Sequence, residues 1–231
     1  MNIVCRIPQE FDPLDLRRCD ALTELEAEFI QGLPRFFPAV LNLHTLRLVL
    51  QPEVKPDFLL DDLTLPALRY LAILRCEIRA AKLKALITRS RCRLESLTVI
   101  MAHDTTQEDF RGLFNSLPSL HRLSLTLQKL DPLLVTLTYT PPHTTLLPNL
   151  YALVMEGRVC SVGRLVTMIE SRTLCGDHQD VQQLDDVIIG VIHDPGRILA
   201  PELKRLWGAH FLQLVNHDEM RIRRITKHAV D

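Results

Sequence analysis

Histidine and aspartate are the residue types in this chain that could carry acid–base or metal chemistry. The sequence has nine histidines, and four of them stand next to an aspartate. Adjacent side chains point to opposite faces of a strand and diverge by about 100° on a helix, so neighbours in sequence do not form a catalytic dyad. Motifs such as H-E-x-x-H, Cys-x-x-Cys, G-x-S-x-G and the P-loop do not occur. We therefore expect no catalytic residues, no metal, no cofactor and no enzyme activity. The adjacent pairs are His103–Asp104, Asp177–His178, His193–Asp194 and His217–Asp218.

Composition and cysteine usage indicate an intracellular protein of the cytoplasm or nucleus. Six cysteines are scattered along 231 residues, unlike the dense disulfide framework of a small secreted domain. The first residues, "MNIVCRIPQEFDPLD", meet charge and proline too early for a signal peptide. No apolar run reaches the roughly 20 residues that span a bilayer. The net charge of −1 favours neither nucleic acid nor anionic membrane as a partner.

A leucine pattern of the form L-x-x-L-x-L recurs along the chain. Its starts lie at positions 22, 43, 68, 94, 120, 150 and 184, so successive starts differ by 21, 25, 26, 26, 30 and 34 residues. Most of these spacings match the 20–29 residue period of leucine-rich repeats. The last two leucines of each copy would enter one face of a strand, and the leading leucine would lie in the turn before it. The copies are "LTELEA", "LHTLRL", "LRYLAI", "LESLTV", "LHRLSL", "LYALVM" and "LDDVII".

The segments between these strands have helical periodicity instead. Residues 79–90, 106–117 and 161–172 place apolar side chains three and four apart, with Thr106 as a candidate N-cap, and 56–63 predicts a shorter helix. Strands alternating with helices predict an α/β leucine-rich-repeat solenoid, with parallel strands on the concave face and helices on the convex face. The polar segments 139–145 and 175–183 are expected to be surface loops.

The repeat pattern predicts one leucine-rich-repeat domain over residues 1–231. Residues 1–38 are interpreted as an irregular N-terminal repeat or cap, and 39–195 as the core repeats. Apolar residues from Leu203 to Leu214 share one helical face, which predicts a capping helix over 196–220. The run "RIRRITKH" is interpreted as part of a basic, solvated tail at 221–231.

The units "LPNLYALVMEG" and "LVTMIESR", with the Cys-type position Cys76 in "LRYLAILRC", resemble the leucine-rich-repeat region of fungal F-box proteins. The resemblance covers residues 40–190 and implies an inward-facing Cys76 that helps close the turn after its strand. It also implies a substrate receptor for a ubiquitin ligase, in which an F-box docks on the Skp1 adaptor of the cullin. The F-box itself is not found, and "IPQEF" at 7–11 is only a faint echo of its start.

These observations favour a non-catalytic protein–protein interaction module. Its protein partner is unknown, and Skp1 and cullin components join it only if an F-box is supplied. One alternative is a GTPase-regulating leucine-rich-repeat scaffold, whose repeats usually run closer to 28–29 residues. Another is an F-box-less fragment without function. Neither nucleic acid nor membrane is expected as a partner.

Strand positions between the inward leucines should face a partner. If neighbouring strands are in register, Val49, Leu74 and Ile100 form an apolar row with Tyr70 beside it and Arg122 further along. Exposed apolar surface with tyrosine and arginine is typical of interaction sites. The alternative is that this row lies at the strand ends, buried under the following loops.

Overall fold

Strands and helices alternate along most of the chain. The structure is a computed structural model that describes residues 2–7, 22–29, 42–50, 57–140, 146–158, 161–173, 182–192, 210–216 and 219–224. The elements are β1 (Asn2–Ile7), β2 (Glu24–Phe29), β3 (Thr45–Leu50), α1 (Asp57–Asp62), β4 (Tyr70–Ile78), α2 (Ala80–Ser90), β5 (Ser96–Met101), α3 (Gln107–Phe114), β6 (Arg122–Lys129), α4 (Asp131–Leu137), β7 (Ala152–Arg158), α5 (Val162–Thr173), β8 (Asp186–Ile192), β9 (His210–Asn216) and β10 (Glu219–Arg224).

The chain forms two compact units, 1–120 (unit 1) and 121–231 (unit 2). In unit 1, β1 to β5 pair in chain order and all in parallel. In unit 2, β6, β7 and β8 are parallel, then β10 pairs antiparallel with β8 and β9 antiparallel with β10. The predicted mixed α/β arrangement with parallel strands is confirmed. The curved solenoid and the single domain with its boundaries stay predictions.

Each copy of the leucine pattern forms a turn followed by a strand in which buried and exposed residues alternate. β2 to β8 all begin two residues after a predicted leading leucine, as β3 does after Leu43. Leu43, Leu46 and Leu48 are 1%, 2% and 1% exposed. Arg47, between the two strand leucines, is exposed, and Val49, which follows them, is partly exposed. Inward leucines from the turn and the strand thus fill the same core, which confirms the interpretation of the mixed spacing.

The predicted helices form, and α3 begins with the predicted N-cap. α2 buries Ala80, Leu83, Leu86 and Ile87. Before α3, the hydroxyl of Thr106 accepts a hydrogen bond from the Asp109 N–H at 3.2 Å, and the Asp109 carboxylate accepts one from the Thr106 N–H at 2.9 Å. This capping box satisfies donors that the first turn of a helix leaves open. The Thr106 N-cap is therefore confirmed.

Helix α4 was not among the predicted elements. It has only seven residues and buries Leu133, Leu134 and Leu137. Two turns are too short to separate helical spacing from a plain apolar run, and Pro132 near its start also suits a loop. The segments predicted as loops are only partly described: residues 139–140 and 182–183 have no regular structure, and 141–145 and 175–181 lie outside the described residues.

The C-terminal prediction is wrong where the structure describes it. Instead of a capping helix, residues 210–216 form strand β9, and 221–224 of the expected tail lie in β10. "HFLQLVN" fits a period of two as well as a helical period, and antiparallel pairing of Leu212 with Ile222 and Leu214 with Met220 decides for strand. Residues 196–209, 217–218 and 225–231 of these two segments lie outside the described residues.

An arginine and a serine in the last turn of a helix hold the end of the preceding helix in both units. In unit 1, Arg89 donates to the Leu60 and Leu63 carbonyls, and the Ser90 hydroxyl accepts from the Leu65 N–H at 2.9 Å. The arginine bonds satisfy carbonyls that the end of α1 leaves without helical partners, and the serine hydroxyl satisfies the Leu65 N–H.

Unit 2 has the same arrangement, which we name the Arg–Ser clamp, with the two residues in reverse order. Arg172, 1% exposed, donates to the Leu137 carbonyl at 2.9 Å, to the Leu147 carbonyl at 3.1 Å and to the Leu146 carbonyl. The Ser171 hydroxyl accepts from the Tyr139 N–H at 3.0 Å. The recurrence of the clamp shows that the repeat extends beyond the leucines to the polar links between successive helices.

Candidate functional site

The strand residues that alternate with the inward leucines form the open face of unit 1. Parallel register aligns them in columns, so that Tyr70 of β4 lies between Thr45 of β3 and Ser96 of β5. All of them are at least partly exposed. The open face consists of Glu24, Glu26 and Glu28 of β2, Thr45, Arg47 and Val49 of β3, Tyr70, Ala72 and Leu74 of β4, and Ser96, Thr98 and Ile100 of β5.

Tyr70 is the most prominent apolar side chain of this face. It is 45% exposed. Its hydroxyl donates to Oε2 of Glu95 at 3.3 Å, and Arg69 Nη1 lies 3.4 Å from Oε1 of the same carboxylate. Glu95 thus orients the ring of Tyr70 from its polar end, while the ring surface stays open to solvent. A tyrosine held in this way loses little side-chain entropy when a partner packs against it.

The three apolar residues predicted as a row are partly exposed, but they are not continuous. Val49 is in register with Leu74, as expected from the leucine spacing. Ile100, however, is in register with Glu77, because the register of β4 against β5 shifts after Ile73. Arg75 has a positive φ of 67° within the shifted segment. A bulge in β4 therefore places Ile100 out of line with Leu74.

Arg75 also brings charge onto this part of the open face. Its Nη1 lies 3.4 Å from Oε1 of Glu28 on β2, so its side chain reaches past β3, which lies between the two strands. On the neighbouring column, Nε of Arg47 lies 3.3 Å from Oε1 of Glu26. Exposed ion pairs of this kind contribute about 0–1 kcal/mol each. They can be exchanged at little cost for contacts with a partner.

Sequence reasoning identified Tyr70, Val49, Leu74 and Ile100 but missed Arg75 and its carboxylate partner Glu28. The positive φ is the cause of the miss. Glycine or asparagine would have signalled such a backbone position, whereas arginine rarely adopts it. No feature of the sequence around Arg75 indicates the bulge.

Arg122, the remaining predicted residue, belongs to unit 2. It is exposed at the start of β6. Its Nε donates to the Tyr151 hydroxyl at 2.8 Å, and its guanidinium carbon lies 5.6 Å from the centroid of the Tyr151 ring. The His121 ring is 6.1 Å from that of Tyr151. Arg122 is thus held in place by an aromatic neighbour, a geometry in which a cation–π contact adds to the hydrogen bond.

The remaining chemistry-bearing side chains are dispersed. Within the described ranges, no group of three or more His, Cys, Asp and Glu side chains could hold a metal ion. His103 lies beside Glu77, with 3.6 Å between Nδ1 and Oε2. Cys76 is 5% exposed, which confirms its predicted inward side chain, but it lies inside β4 and not in the turn after the strand.

Cys92 is a partly buried thiol in the segment between α2 and β5. Burial disfavours the thiolate and raises the pKa of Cys92 above its ordinary value. An activated cysteine nucleophile needs the opposite shift. Cys92 is therefore poorly suited to nucleophilic chemistry at neutral pH.

The described residues that were predicted to bind a partner thus lie on exposed strand surfaces. In the part of the chain that the structure describes, no helix combines the length and the apolarity needed to cross a membrane. No protein-family model matches this sequence, and no curated protein matches it either.

Proposed function

We propose that this chain is a non-catalytic leucine-rich-repeat module that binds a protein on the open face of unit 1. The observation that carries the proposal is Tyr70, which is 45% exposed on a strand face where Val49 and Leu74 are also partly exposed. A large side chain left in solvent on a strand face is a candidate anchor, because tyrosine is enriched among residues that dominate binding energy.

Two further properties of the open face support protein binding. The Arg47–Glu26 and Arg75–Glu28 ion pairs lie next to the apolar residues of the face, and interfaces commonly combine apolar and charged side chains. The inward leucines below the face are buried, so the surface is carried by a packed core. A preorganised surface binds with a smaller loss of conformational entropy than a mobile one.

The finer part of the proposal is membership of the fungal F-box type of leucine-rich-repeat protein, acting in the cytoplasm or nucleus as a substrate receptor. Its support is the period of the leading leucines and the start of each strand two residues after them. In this proposal the open face binds the substrate, and Skp1 and cullin join the assembly where an F-box is supplied.

Comparative affinity purification tests the proposal. Wild-type protein, Tyr70→Ala, Leu74→Asp and Val135→Asp would be used as baits, with recovered proteins quantified by mass spectrometry. Val135 is a matched control for Leu74, since it is an exposed apolar residue (39%) on helix α4 of unit 2. We expect a partner that wild type and Val135→Asp retain and that the two open-face variants lose.

The identity of the recovered proteins separates the two levels of the proposal. Skp1 and cullin among the recovered proteins would support the ubiquitin-ligase role, whereas a GTPase in their place would contradict it. A partner retained equally by all four baits would contradict docking on the open face, provided that circular dichroism shows each variant folded.

A further inference from the structure

A second surface of unit 1, away from the strand face, carries unbalanced positive charge. Between Glu77 and Glu95 the sequence has six basic residues and no acidic residue. Lys82 is paired with Asp61 at 2.6 Å, and the Arg89 guanidinium is bound to the carbonyls at the end of α1. The six basic residues are Arg79, Lys82, Lys84, Arg89, Arg91 and Arg93.

Arg91 and Arg93 border an open groove at the end of α2. The groove holds about 430 Å³, and its accessible apolar lining includes the exposed Pro118 and the partly exposed Cys92. Ile87, Leu94 and Leu117 also line it but are almost completely buried. Ser119 also lines the groove, and none of its lining residues is acidic. We name it the arginine groove. A volume of this size accommodates a few side chains of a ligand.

Neither arginine of the groove is neutralised within the described part of the chain. Among the residues that the structure describes, no ion pair includes Arg91 or Arg93, and both are exposed. The nearest acidic residue in sequence, Glu95, binds Arg69 and Tyr70. Two guanidinium groups beside Cys92 and Pro118 offer charge-assisted hydrogen bonds to a carboxylate next to a small apolar surface.

The backbone conformation of Arg91 sets where its side chain leaves the end of α2. Arg91 ends α2 with a left-handed φ of 50°, and its N–H donates to the Ile87 carbonyl at 2.8 Å. Glycine is the usual residue where a helix ends in this conformation. An arginine there keeps a cation at the mouth of the groove, where it also offsets the partial negative charge at the end of the helix.

We propose that the arginine groove binds an acidic peptide segment of a partner protein, with carboxylates on Arg91 and Arg93 and an apolar side chain against Cys92 and Pro118. Nucleic acid fits the groove less well, because the lining has no aromatic side chain on which a base could stack. The groove is lined by the end of α2 and by the segments before β5 and β6, not by the open face, so this inference does not depend on the proposed function.

Fluorescence anisotropy with a labelled peptide of alternating Glu and Leu tests the inference, with a Gln-for-Glu peptide as the probe control. We expect the acidic peptide to bind at low salt, to weaken several-fold as ionic strength rises, and to lose at least tenfold in affinity in the double variant Arg91→Glu/Arg93→Glu. The variant Arg79→Glu/Lys84→Glu makes the same change of charge on exposed residues outside the groove. At about 0.15 M salt, where exposed charges more than about 8 Å apart are largely screened, it should stay within about twofold of wild type.

Four results would overturn the inference: no binding of the acidic peptide at low salt, equal binding of the Gln peptide, equal losses in both double variants, or tighter binding of a single-stranded oligonucleotide than of the peptide. Should the charge-reversed groove variant fail to fold, Arg91→Gln/Arg93→Gln replaces it, with an expected loss of several-fold. Alkylation of Cys92, a lining residue, gives a second readout. Bound acidic peptide should slow it, and an unchanged rate at saturating peptide would place the peptide elsewhere.

Discussion

Gly157 of β7 offers a test of the parallel pairing in unit 2, because a single methyl group there has no space. Gly157 is in register with Leu127 of β6. A Cβ added to it would lie 2.6 Å from the Leu127 carbonyl oxygen and 3.0 Å from Cγ of Leu130. The nearest atom belongs to a hydrogen-bonded strand, so relief requires the two backbones to separate. Overpacking of this kind costs about 1–3 kcal/mol, and we expect Gly157→Ala near the upper end.

Gly163 provides the matched control for this substitution. It is exposed in the first turn of α5, where an added Cβ would meet only the Ser161 hydroxyl oxygen at 3.8 Å. Gly163→Ala should therefore be neutral or stabilise by up to about 1 kcal/mol. Urea unfolding followed by circular dichroism measures the difference between the two variants, which we expect to be roughly 2–4 kcal/mol. Equal stabilities of Gly157→Ala and Gly163→Ala would refute the close approach of β6 and β7.

Three further predictions follow from polar and titratable groups. Arg172→Met should lower the free energy of unfolding by about 3–5 kcal/mol, because it leaves buried carbonyls without donors. The control Arg164→Ala removes an exposed ion pair with Asp131 and should change the free energy of unfolding by less than about 1 kcal/mol. Thr106→Ala should destabilise by about 1 kcal/mol in urea unfolding through loss of the α3 cap, and an unchanged midpoint would contradict the capping role. Since burial raises the pKa of Cys92, iodoacetamide should modify it more slowly than the same thiol in urea at each pH near neutrality. The contribution of this buried thiol to the stability of the fold is present below the ordinary thiol pKa and is lost as pH rises through the folded-state pKa.

The strands could be predicted from sequence because each inward leucine can be buried only on the core side of its strand. Leu46 and Leu48 bury on one side of β3, and Leu43 reaches the same core from the preceding turn. A slip of one residue would expose all of the strand leucines, so the register of β3 against β4, and with it the neighbouring positions of Val49 and Leu74, follows from the pattern.

The parts that could not be predicted depend on backbone conformation or on distant partners. The bulge at Arg75 requires a positive φ that arginine does not signal, and it moves Ile100 into register with Glu77. The sequence periodicity of β9 and β10 is ambiguous, and their pairing with each other decides for strand. The arginine groove depends on segments 87–94 and 116–119 coming together, which the repeat period alone does not specify. Local alternation predicted the core, while the surfaces depend on these longer-range details.

Site-specific photo-crosslinking in cells is the most direct measurement of protein binding by the open face. Benzoylphenylalanine would replace Tyr70 in one version of the protein and Val135 in another, so that each exposed side chain becomes a crosslinker of similar reach. Docking on the open face predicts a discrete crosslinked protein from position 70 that is absent from position 135. Crosslinks from position 135 alone, or from neither position in a folded protein at normal abundance, would contradict it.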